Sequence, residues 1–273
     1  MSTTAPEPPA ASRRIGEQIR YWLPAVVVFG LGLAAWQWLL PDVLGVEEFL
    51  LPRFSDVLQA LVDERDKLLR GAWITFKEAF GGFVLGSGAA IVAALILARW
   101  RPFGNALMPY MIAANAIPII AFAPITNAWF GLLSPWSKVT IAAVLCFFPV
   151  LVNTLRGLTS VDPESIELMR SYAAPEREVF RRVRIPSSLP YVFSALKVAS
   201  VLAMIGAVVG DYFGGSLDAL GIVVLSAVNL SQYSTSWAAI LVASIMGIAF
   251  YGAIALVERY ALSWHPSVGR RRQ

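Results

Sequence analysis

The sequence predicts an all-α membrane protein with six transmembrane helices, and three observations support this fold class. Of the 273 residues, 57% are hydrophobic and 15% are charged, whereas soluble domains carry about 25% charged residues. The mean hydropathy is accordingly high, at +0.64. The apolar residues form blocks of roughly 20 residues, the length that crosses a hydrocarbon core. Arginines cluster beside these blocks, where the cytosolic flanks of transmembrane helices carry them.

Six apolar blocks define the predicted spans. The second contains Gly82 and Gly86 at a spacing that lets another helix approach its backbone closely. The third is interrupted by Pro109, Pro118 and Pro124, and carbonyl groups freed by proline need other partners or a wet cavity. This block is therefore a candidate pore liner. In chain order the predicted spans are Tyr21–Leu40, Trp73–Trp100, Ala106–Phe130, Trp136–Leu155, Tyr191–Phe213 and Ser236–Leu256.

Basic residues orient the predicted bundle, because cytosolic flanks carry an excess of Lys and Arg. Arginines precede the first span, follow the second, fourth and sixth, and cluster between the fourth and fifth, so both termini are expected in the cytosol. The loop 41–70 is rich in acidic residues and is expected outside. Within it, Ser55–Leu69 has apolar residues at helical spacing and predicts a surface helix. The predicted regions are a disordered cytosolic tail 1–20, a transmembrane domain 21–262 and a basic cytosolic tail 263–273.

Composition and motifs exclude several functions. The pI near 9.4 does not indicate nucleic-acid binding, since the arginines flank apolar spans. The single cysteine, Cys146, excludes an internal disulfide, and His265 is the only histidine, so no metal site is expected. The sequence has no GxxxxGK[ST] phosphate loop. The chain is therefore not expected to be an enzyme, and any ATP hydrolysis must come from another subunit.

Residues 157–190 form the one substantial predicted cytosolic stretch. It is too short for a catalytic domain, so we expect it to contact a partner. Asp162 is an N-cap residue followed by proline at the first helical position, which predicts a short helix. A second helix opens after Pro175, and Pro186 and Pro190 are expected to end it and direct the chain into the fifth span. A solvated connector is the alternative interpretation.

Polar or kinked positions within the apolar spans are candidates for a translocation path. For the asparagines among them, hydrogen bonding to neighbouring helices is the alternative role. Among the charged residues, Lys197 is expected to extend to the cytosolic end of its span, and Asp211 to lie near the outer end within reach of water. Lys77 and Glu78 are expected at the outer membrane interface. The candidate path residues are Asn115, Pro118, Thr126, Asn127, Asn153 and Asp211.

Several segments resemble one family. The run Met169-Arg-Ser-Tyr-Ala-Ala-Pro, with the segment 179–190 after it, resembles the cytosolic coupling loop of ABC importer permeases. The segments 118–124, 147–149 and 210–215 (GDYFGG) resemble the same family in the expected order, and the resemblance covers roughly 50–265. One departure concerns the loop turn, where the family usually has glycine and this chain has Ala173, because alanine tolerates positive φ poorly.

The resemblance implies the type I ABC importer permease fold in the inner membrane, with a short helix that docks into an ATPase subunit. It also implies the partners: ABC ATPase subunits that bind ATP and Mg, an extracytoplasmic solute-binding protein, a second copy of the permease and membrane lipid. By the resemblance, the ATPase-coupling residues are Met169, Arg170, Tyr172, Ala173, Ala174, Arg177, Phe180, Arg181, Pro186 and Pro190.

The expected solute follows from finer resemblance within the family. The segments 195–199, 205–210 and 213–215 are most similar to permeases for pyrimidine precursors, such as hydroxymethylpyrimidine, or for riboflavin. Aliphatic sulfonates, taurine and nitrate are the alternative solutes. A secondary transporter that works without an ATPase is a more distant alternative. It would need rows of intramembrane carboxylates or histidines and an internal repeat, and the sequence has neither.

Overall fold

The computed structural model describes residues 10–38, 47, 49–114, 116 and 118–263, and the chain is mainly helical across them. The helices in this described part are α1 (Ala10–Ala34), α2 (Phe54–Asp63), α3 (Arg65–Arg99), α4 (Arg101–Ala114), α5 (Ala123–Phe130), α6 (Pro135–Thr159), α7 (Pro163–Ser171), α8 (Glu176–Val179), α9 (Ile185–Tyr212), α10 (Leu220–Asn229) and α11 (Tyr233–Ala261).

Four helices within the described residues are long and apolar enough to cross a membrane: α3, α6, α11 and a continuous helix from Glu176 to Tyr212 that contains α8 and α9. They confirm the second, fourth, fifth and sixth predicted spans, and each is longer than predicted. Helical backbone satisfies its own polar groups, so these helices extend past the apolar blocks into flanking polar sequence.

The core of the bundle lies where α6 packs between α3 and α9. Gly82 and Gly86 permit this packing, because a Cβ on Gly82 would overlap Ala142 and one on Gly86 would overlap the backbone of Ala143. The close approach that the glycine spacing predicts is therefore confirmed, with α6 as the partner helix. Phe250 of α11 also contributes to this core.

The first predicted span corresponds to α1 and a π-helical turn that continues to Trp38. Its apolar residues are largely exposed, as expected of a lipid-facing helix. This helix begins at Ala10, within the region 1–20 that the sequence predicts as a disordered tail. Residues 10–20 include good helix formers such as Ala, Arg, Glu and Gln, so the helix extends N-terminally from the apolar block. Residues 1–9 lie outside the described part.

The third predicted span is not one helix. It consists of α4, a 3₁₀ turn over Ile119–Phe122, and α5. The break predicted from prolines is confirmed at Pro118, which precedes the 3₁₀ turn, and at Pro124, which lies in the first turn of α5. Pro109 instead lies inside α4 without interrupting it.

The end of the bundle that holds Arg65 contains two short helices. The predicted surface helix Ser55–Leu69 is shorter than expected: α2 ends at Asp63, and Leu68 already belongs to α3. Val57 of α2 is fully buried beside residues of α3, α10 and α11, so α2 packs on protein. Helix α10 was not predicted from the sequence, because its ten residues are too few to span a bilayer.

Candidate coupling segment and translocation path

The candidate coupling segment lies within residues 157–190. Its first helix is α7, which lies at the end of the bundle that holds Arg99. The Asp162 carboxylate accepts a hydrogen bond from the Glu164 N–H at 3.2 Å, and Pro163 occupies the first turn. The helix start predicted from these residue types is therefore confirmed. An N-cap carboxylate satisfies an N–H group that the helix itself leaves unpaired.

Every residue of α7 is exposed or half-buried. Leu168 is 58% exposed, and Tyr172, which directly follows the helix, is 76% exposed. These two residues lie one turn apart and thus share one face of the helix. A cleft of about 420 Å³ separates α7 from the next helix, and Met169 and Pro186 are among the residues that line it. The segment therefore presents an exposed apolar surface, and Leu168 lies at the border of this cleft.

Ala173 lies in the turn after α7 and has a left-handed backbone, at φ 54°. Its N–H donates to the carbonyl of Arg170 at 2.8 Å, and the Ala174 N–H donates to the carbonyl of Met169 at 3.1 Å. These two bonds form a Schellman motif, in which the left-handed residue is usually glycine. The turn thus keeps the geometry that glycine favours, although its residue is alanine.

The second coupling helix does not end at Pro186, which corrects the prediction that Pro186 and Pro190 terminate it. A π-helical turn over Phe180–Arg184 joins α8 to α9, and the Ile185 N–H donates to the carbonyl of Phe180. Proline normally clashes with the carbonyl four residues before it. The wider π turn precedes Pro186 at this point, and the helix continues to Tyr212 as one element.

The side chains of this second helix are divided between the core and the surface. Val179 is 1% exposed, and Phe180 packs against the core of the bundle. Arg184 is only 4% exposed and pairs with Glu176 at 2.7 Å. Arg181 is exposed. Of the predicted coupling residues, Phe180 is therefore directed into the bundle and cannot form the centre of an outer contact surface.

A cavity of about 1060 Å³ lies between the coupling segment and the Arg99 end of α3. Residues of both elements line it. Some of the predicted coupling residues therefore face this cavity, whereas others, such as Tyr172 and Arg181, lie on the exposed surface of the segment. The lining residues are Ile96, Leu97, Ala98, Arg99, Trp100, Arg170, Glu176, Arg177, Phe180 and Arg184.

The candidate path residues fall into different environments. Pro118 is exposed, whereas Thr126 is 2% exposed and donates to the carbonyl of Ala123 at 3.0 Å. Asn127 donates to the carbonyl of Phe213 at 2.8 Å. Asn153 is half-buried and donates to the carbonyl of Pro149 in its own helix at 2.8 Å.

Asn127 thus bonds another element, as in the alternative role given for the asparagines, whereas Asn153 does not. Two residues named in the sequence analysis, Asn115 and His265, lie outside the described residues.

Asp211 belongs to a buried charged cluster, which the sequence analysis missed. Its side chain is 0% exposed, so the expectation that water reaches it is wrong. The carboxylate accepts hydrogen bonds from the Thr75 hydroxyl at 3.0 Å and from the Gly221 N–H at 3.4 Å. Glu78 is 4% exposed. It is therefore buried in the protein, whereas the sequence predicted a position at the outer membrane interface. Only the tertiary packing of α3, α9 and α10 creates this environment.

Lys138 is the third charged member of the cluster and is 0% exposed. Its ammonium group donates to the carbonyls of Leu132 at 2.7 Å and Ser134 at 3.2 Å. A Cβ placed on Gly215 would lie 3.0 Å from Asp211 Oδ1 and 3.4 Å from Lys138 Cε. The two side chains therefore approach the same point. Lys138 lies one turn inside α6, and the sequence analysis did not name it as a candidate.

Lys197 does not extend to the membrane surface as predicted. Its ammonium group pairs with the Glu258 carboxylate at 2.6 Å, and the two side chains are 21% and 18% exposed. The pair joins α9 to α11. A partly buried ion pair of this geometry removes the need to reach water, because each charge is compensated by the other.

The sequence matches a known family over residues 82–261, more than half of the chain. The family is described as the binding-protein-dependent transport system inner membrane component. This chain belongs to that family. Curated relatives are named as ABC transporter permeases, and the protein is accordingly an ABC importer permease with a helical membrane fold.

Curated relatives that exceed 30% identity include two transport permeases. The formylaminopyrimidine transport permease protein ThiX of Halalkalibacterium halodurans is 35% identical over 80% of this chain and 87% of its own length. The riboflavin transport system permease protein RibX of Chloroflexus aurantiacus is 33% identical over 71% of each chain. A crystal structure of an amino acid ABC transporter aligns with TM-score 0.58 and 18% identity, over 74% of this chain and 97% of that one. The structural match supports the fold alone.

Proposed function

We propose that this permease forms the solute path of an ATP-driven importer and that a separate ATPase moves it through α7. The observation that carries the proposal is the exposed apolar face of α7, with Leu168 58% and Tyr172 76% exposed. A connector with no partner would leave this apolar pair in water. A soluble subunit with an apolar cleft would bury it, and such burial favours association.

The architecture supports transmission of movement from α7 to the pore. The hydrogen-bonded turn at Ala173 joins α7 to the helix that runs from Glu176 to Tyr212 without interruption. A displacement of α7 therefore moves α9 as a rigid element, and α9 packs on α6. Rigid-body rotation of helices is a common mode of conformational switching.

The proposed contact residues are those on the outer surface of the segment: Leu168, Met169, Tyr172 and Arg181. Ala173 and Ala174 shape the turn, and Pro186 and Pro190 lie in the helix that transmits the movement. Arg170, Arg177 and Phe180, which the family resemblance also assigns to coupling, line the cavity. We assign to these three a supporting role behind the contact surface.

The proposed orientation places the Arg99 end of the bundle and both termini in the cytosol, in keeping with the arginine distribution. ATP and Mg bind on the ATPase, and an external binding protein delivers the solute at the Arg65 end. The path runs between two copies of the permease along α4, α5 and α6. Of the candidate residues, Thr126 and Asn127 lie in α5, Asn153 lies in α6, and Pro118 precedes α5. Asp211, which is buried within one copy, borders the path as part of its rigid wall.

For the solute, we propose a small heteroaromatic vitamin or vitamin precursor, such as a pyrimidine or riboflavin. The support is the 35% and 33% identity to permeases named for formylaminopyrimidine and riboflavin. Uptake of labelled hydroxymethylpyrimidine and riboflavin by cells with and without the gene tests this. If uptake of both is unchanged and uptake of a sulfonate or nitrate is lost, the proposed solute class is wrong.

The coupling proposal is tested with Leu168→Asp and Tyr172→Asp. We expect the ATPase to stop co-purifying with either variant and ATP-dependent uptake to be lost, because a carboxylate in the apolar contact is left without a partner. Leu217→Asp is the matched control, since Leu217 is 81% exposed and belongs to the opposite end of the bundle. Intact assembly in the α7 variants, or uptake without ATP, contradicts the proposal.

A further inference from the structure

The cavity beside the coupling segment combines a large volume, an excess of positive charge and an apolar wall. Its volume of about 1060 Å³ is comparable with the largest small-molecule sites, roughly 1,000 Å³. Four arginines and one glutamate contribute to the lining, together with apolar residues of α3 and Phe180. The charges therefore leave an excess of three positive groups at neutral pH. From this combination we propose that the cavity binds the headgroup of an anionic phospholipid.

The arginines supply the anion-binding chemistry. Arg184 is paired with Glu176 and forms part of the buried wall. Arg99, Arg170 and Arg177 are exposed, and no carboxylate of the described residues lies within ion-pair distance of them. The planar guanidinium group can donate two parallel hydrogen bonds to a phosphate. Three such groups around one cavity attract the negative charge of a phosphodiester.

The apolar wall favours a lipid over a free anion. Ile96 and Trp100 belong to the last turn and end of α3 and are 52% and 62% exposed. At 1.5 Å per residue they differ by about 6 Å in depth, so the wall extends from the hydrocarbon toward the arginines. Tryptophan is enriched at this level of the bilayer. An amphiphile with an anionic head and an acyl chain can contact both the arginines and the apolar wall, whereas inorganic phosphate would leave the apolar wall uncovered.

The cavity and the proposed ATPase contact lie on opposite faces of α7. Successive residues are separated by about 100° around a helix axis, since a turn contains 3.6 residues. Leu168 and Tyr172 are thus about 40° apart, whereas Arg170 lies about 160° from both. A lipid in the cavity and an ATPase on the outer face can therefore bind at the same time, and the lipid would support the inner face of the coupling segment.

Basic pockets on the cytoplasmic side of helical membrane proteins are known sites for anionic headgroups. This inference rests on the proposed cytosolic placement of the Arg99 end, because basic cytosolic residues face the anionic leaflet. It does not depend on which solute is transported. The expected contribution of one arginine near the surface corresponds to about a fivefold change in affinity for an anionic lipid.

The test uses the full permease–ATPase complex in nanodiscs of phosphatidylcholine with phosphatidylglycerol, released into detergent for native mass spectrometry. We expect wild type to retain phosphatidylglycerol in preference to phosphatidylcholine. Arg99→Gln should reduce this retention about fivefold, and Arg99→Gln with Arg170→Gln should reduce it further. The matched control is Arg156→Gln with Arg259→Gln, two exposed arginines outside the cavity, which should retain lipid as wild type does.

Three outcomes overturn the inference. Equal retention by wild type and the Arg99 variants shows that the cavity does not hold the headgroup. Equal loss in the control shows only the general attraction of a basic surface. Displacement of the lipid by inorganic phosphate at the same concentration shows that a free anion suffices. Because retention is measured on assembled complex, it is distinguishable from the coupling proposal, whose failure appears as unchanged assembly in Leu168→Asp.

Discussion

Ala173 adopts a positive φ that alanine rarely accepts, and it does so where the coupling segment turns. A left-handed backbone costs a residue with a Cβ about 1 kcal/mol or more. The two hydrogen bonds of the Schellman motif and the packing of the flanking helices hold the residue there. The strain therefore lies in the turn between the proposed contact helix and the helix that transmits its movement.

Ala173→Gly should stabilise the permease by about 0.5–1 kcal/mol. Removal of the Cβ relieves the steric clash at positive φ, and this gain is larger than the cost of the greater backbone entropy that glycine has in the unfolded state. The measurement is thermal unfolding of the purified protein in detergent. Ala174→Gly is the matched control, since Ala174 has no positive φ, and should stabilise nothing. Equal shifts in the two variants would contradict this account of the turn.

At the scale of elements, the contact between α3 and α6 depends on glycine. A Cβ at position 86 would overlap the carbonyl group of Ala143, a backbone group that cannot rotate away. At position 88, two residues along the same helix, a Cβ meets no atom within 4 Å. The same substitution at these two positions should therefore have opposite effects.

Gly86→Ala should destabilise the bundle by about 2 kcal/mol through overpacking, whereas Gly88→Ala should be neutral or stabilise it by about 0.5 kcal/mol through helix propensity. Thermal unfolding of both variants in the same detergent gives the comparison. A similar loss of stability in both would show that the close approach of α3 and α6 does not limit packing.

The buried cluster of Glu78, Lys138 and Asp211 joins α3, α6 and α9 at the Arg65 end of the bundle. Removal of Lys138, the cation of this cluster, leaves the carboxylates uncompensated, so Lys138→Met should destabilise the protein by about 3 kcal/mol. Asp211→Asn removes one of the negative charges. The double variant should then be more stable than the sum of the single effects predicts, by about 1 kcal/mol. Strict additivity in this double-mutant cycle would show that the charges do not interact.

For the whole molecule, the decisive question is which end of the bundle faces the cytosol. Cys146 is the only cysteine and is fully buried, so its background labelling is low. Asp63→Cys at the end of α2 and Glu167→Cys in α7 place exposed thiols at opposite ends. In intact spheroplasts, a membrane-impermeant maleimide should label position 63 alone, and permeabilised cells should show both. The reverse pattern would invert the proposed topology.

Much of the fold could be predicted because the bilayer imposes simple rules. A run of about 20 apolar residues is long enough to cross it, and helical backbone needs no outside partners. The sequence thus located the long helices, the break at Pro118 and the start of α7 at Asp162. It missed α10, which is too short to meet the length rule, and the helix that continues through Pro186, because a π turn adapts to proline in a way that composition does not indicate.

The candidate site was predictable only where local residue types define it. The coupling segment follows from Asp162, the prolines and the amphipathic pattern, all close together in the chain. The charge pairing could not be predicted: Thr75 and Asp211 are 136 positions apart and Lys197 and Glu258 are 61 apart. By itself the sequence determined the class of protein and its long helices and predicted where a coupling segment begins, because hydrocarbon thickness and local capping act on neighbouring residues. The tertiary structure alone decided which charges are buried together and which arginines line a common cavity, because both depend on helices distant in sequence that packing brings into contact.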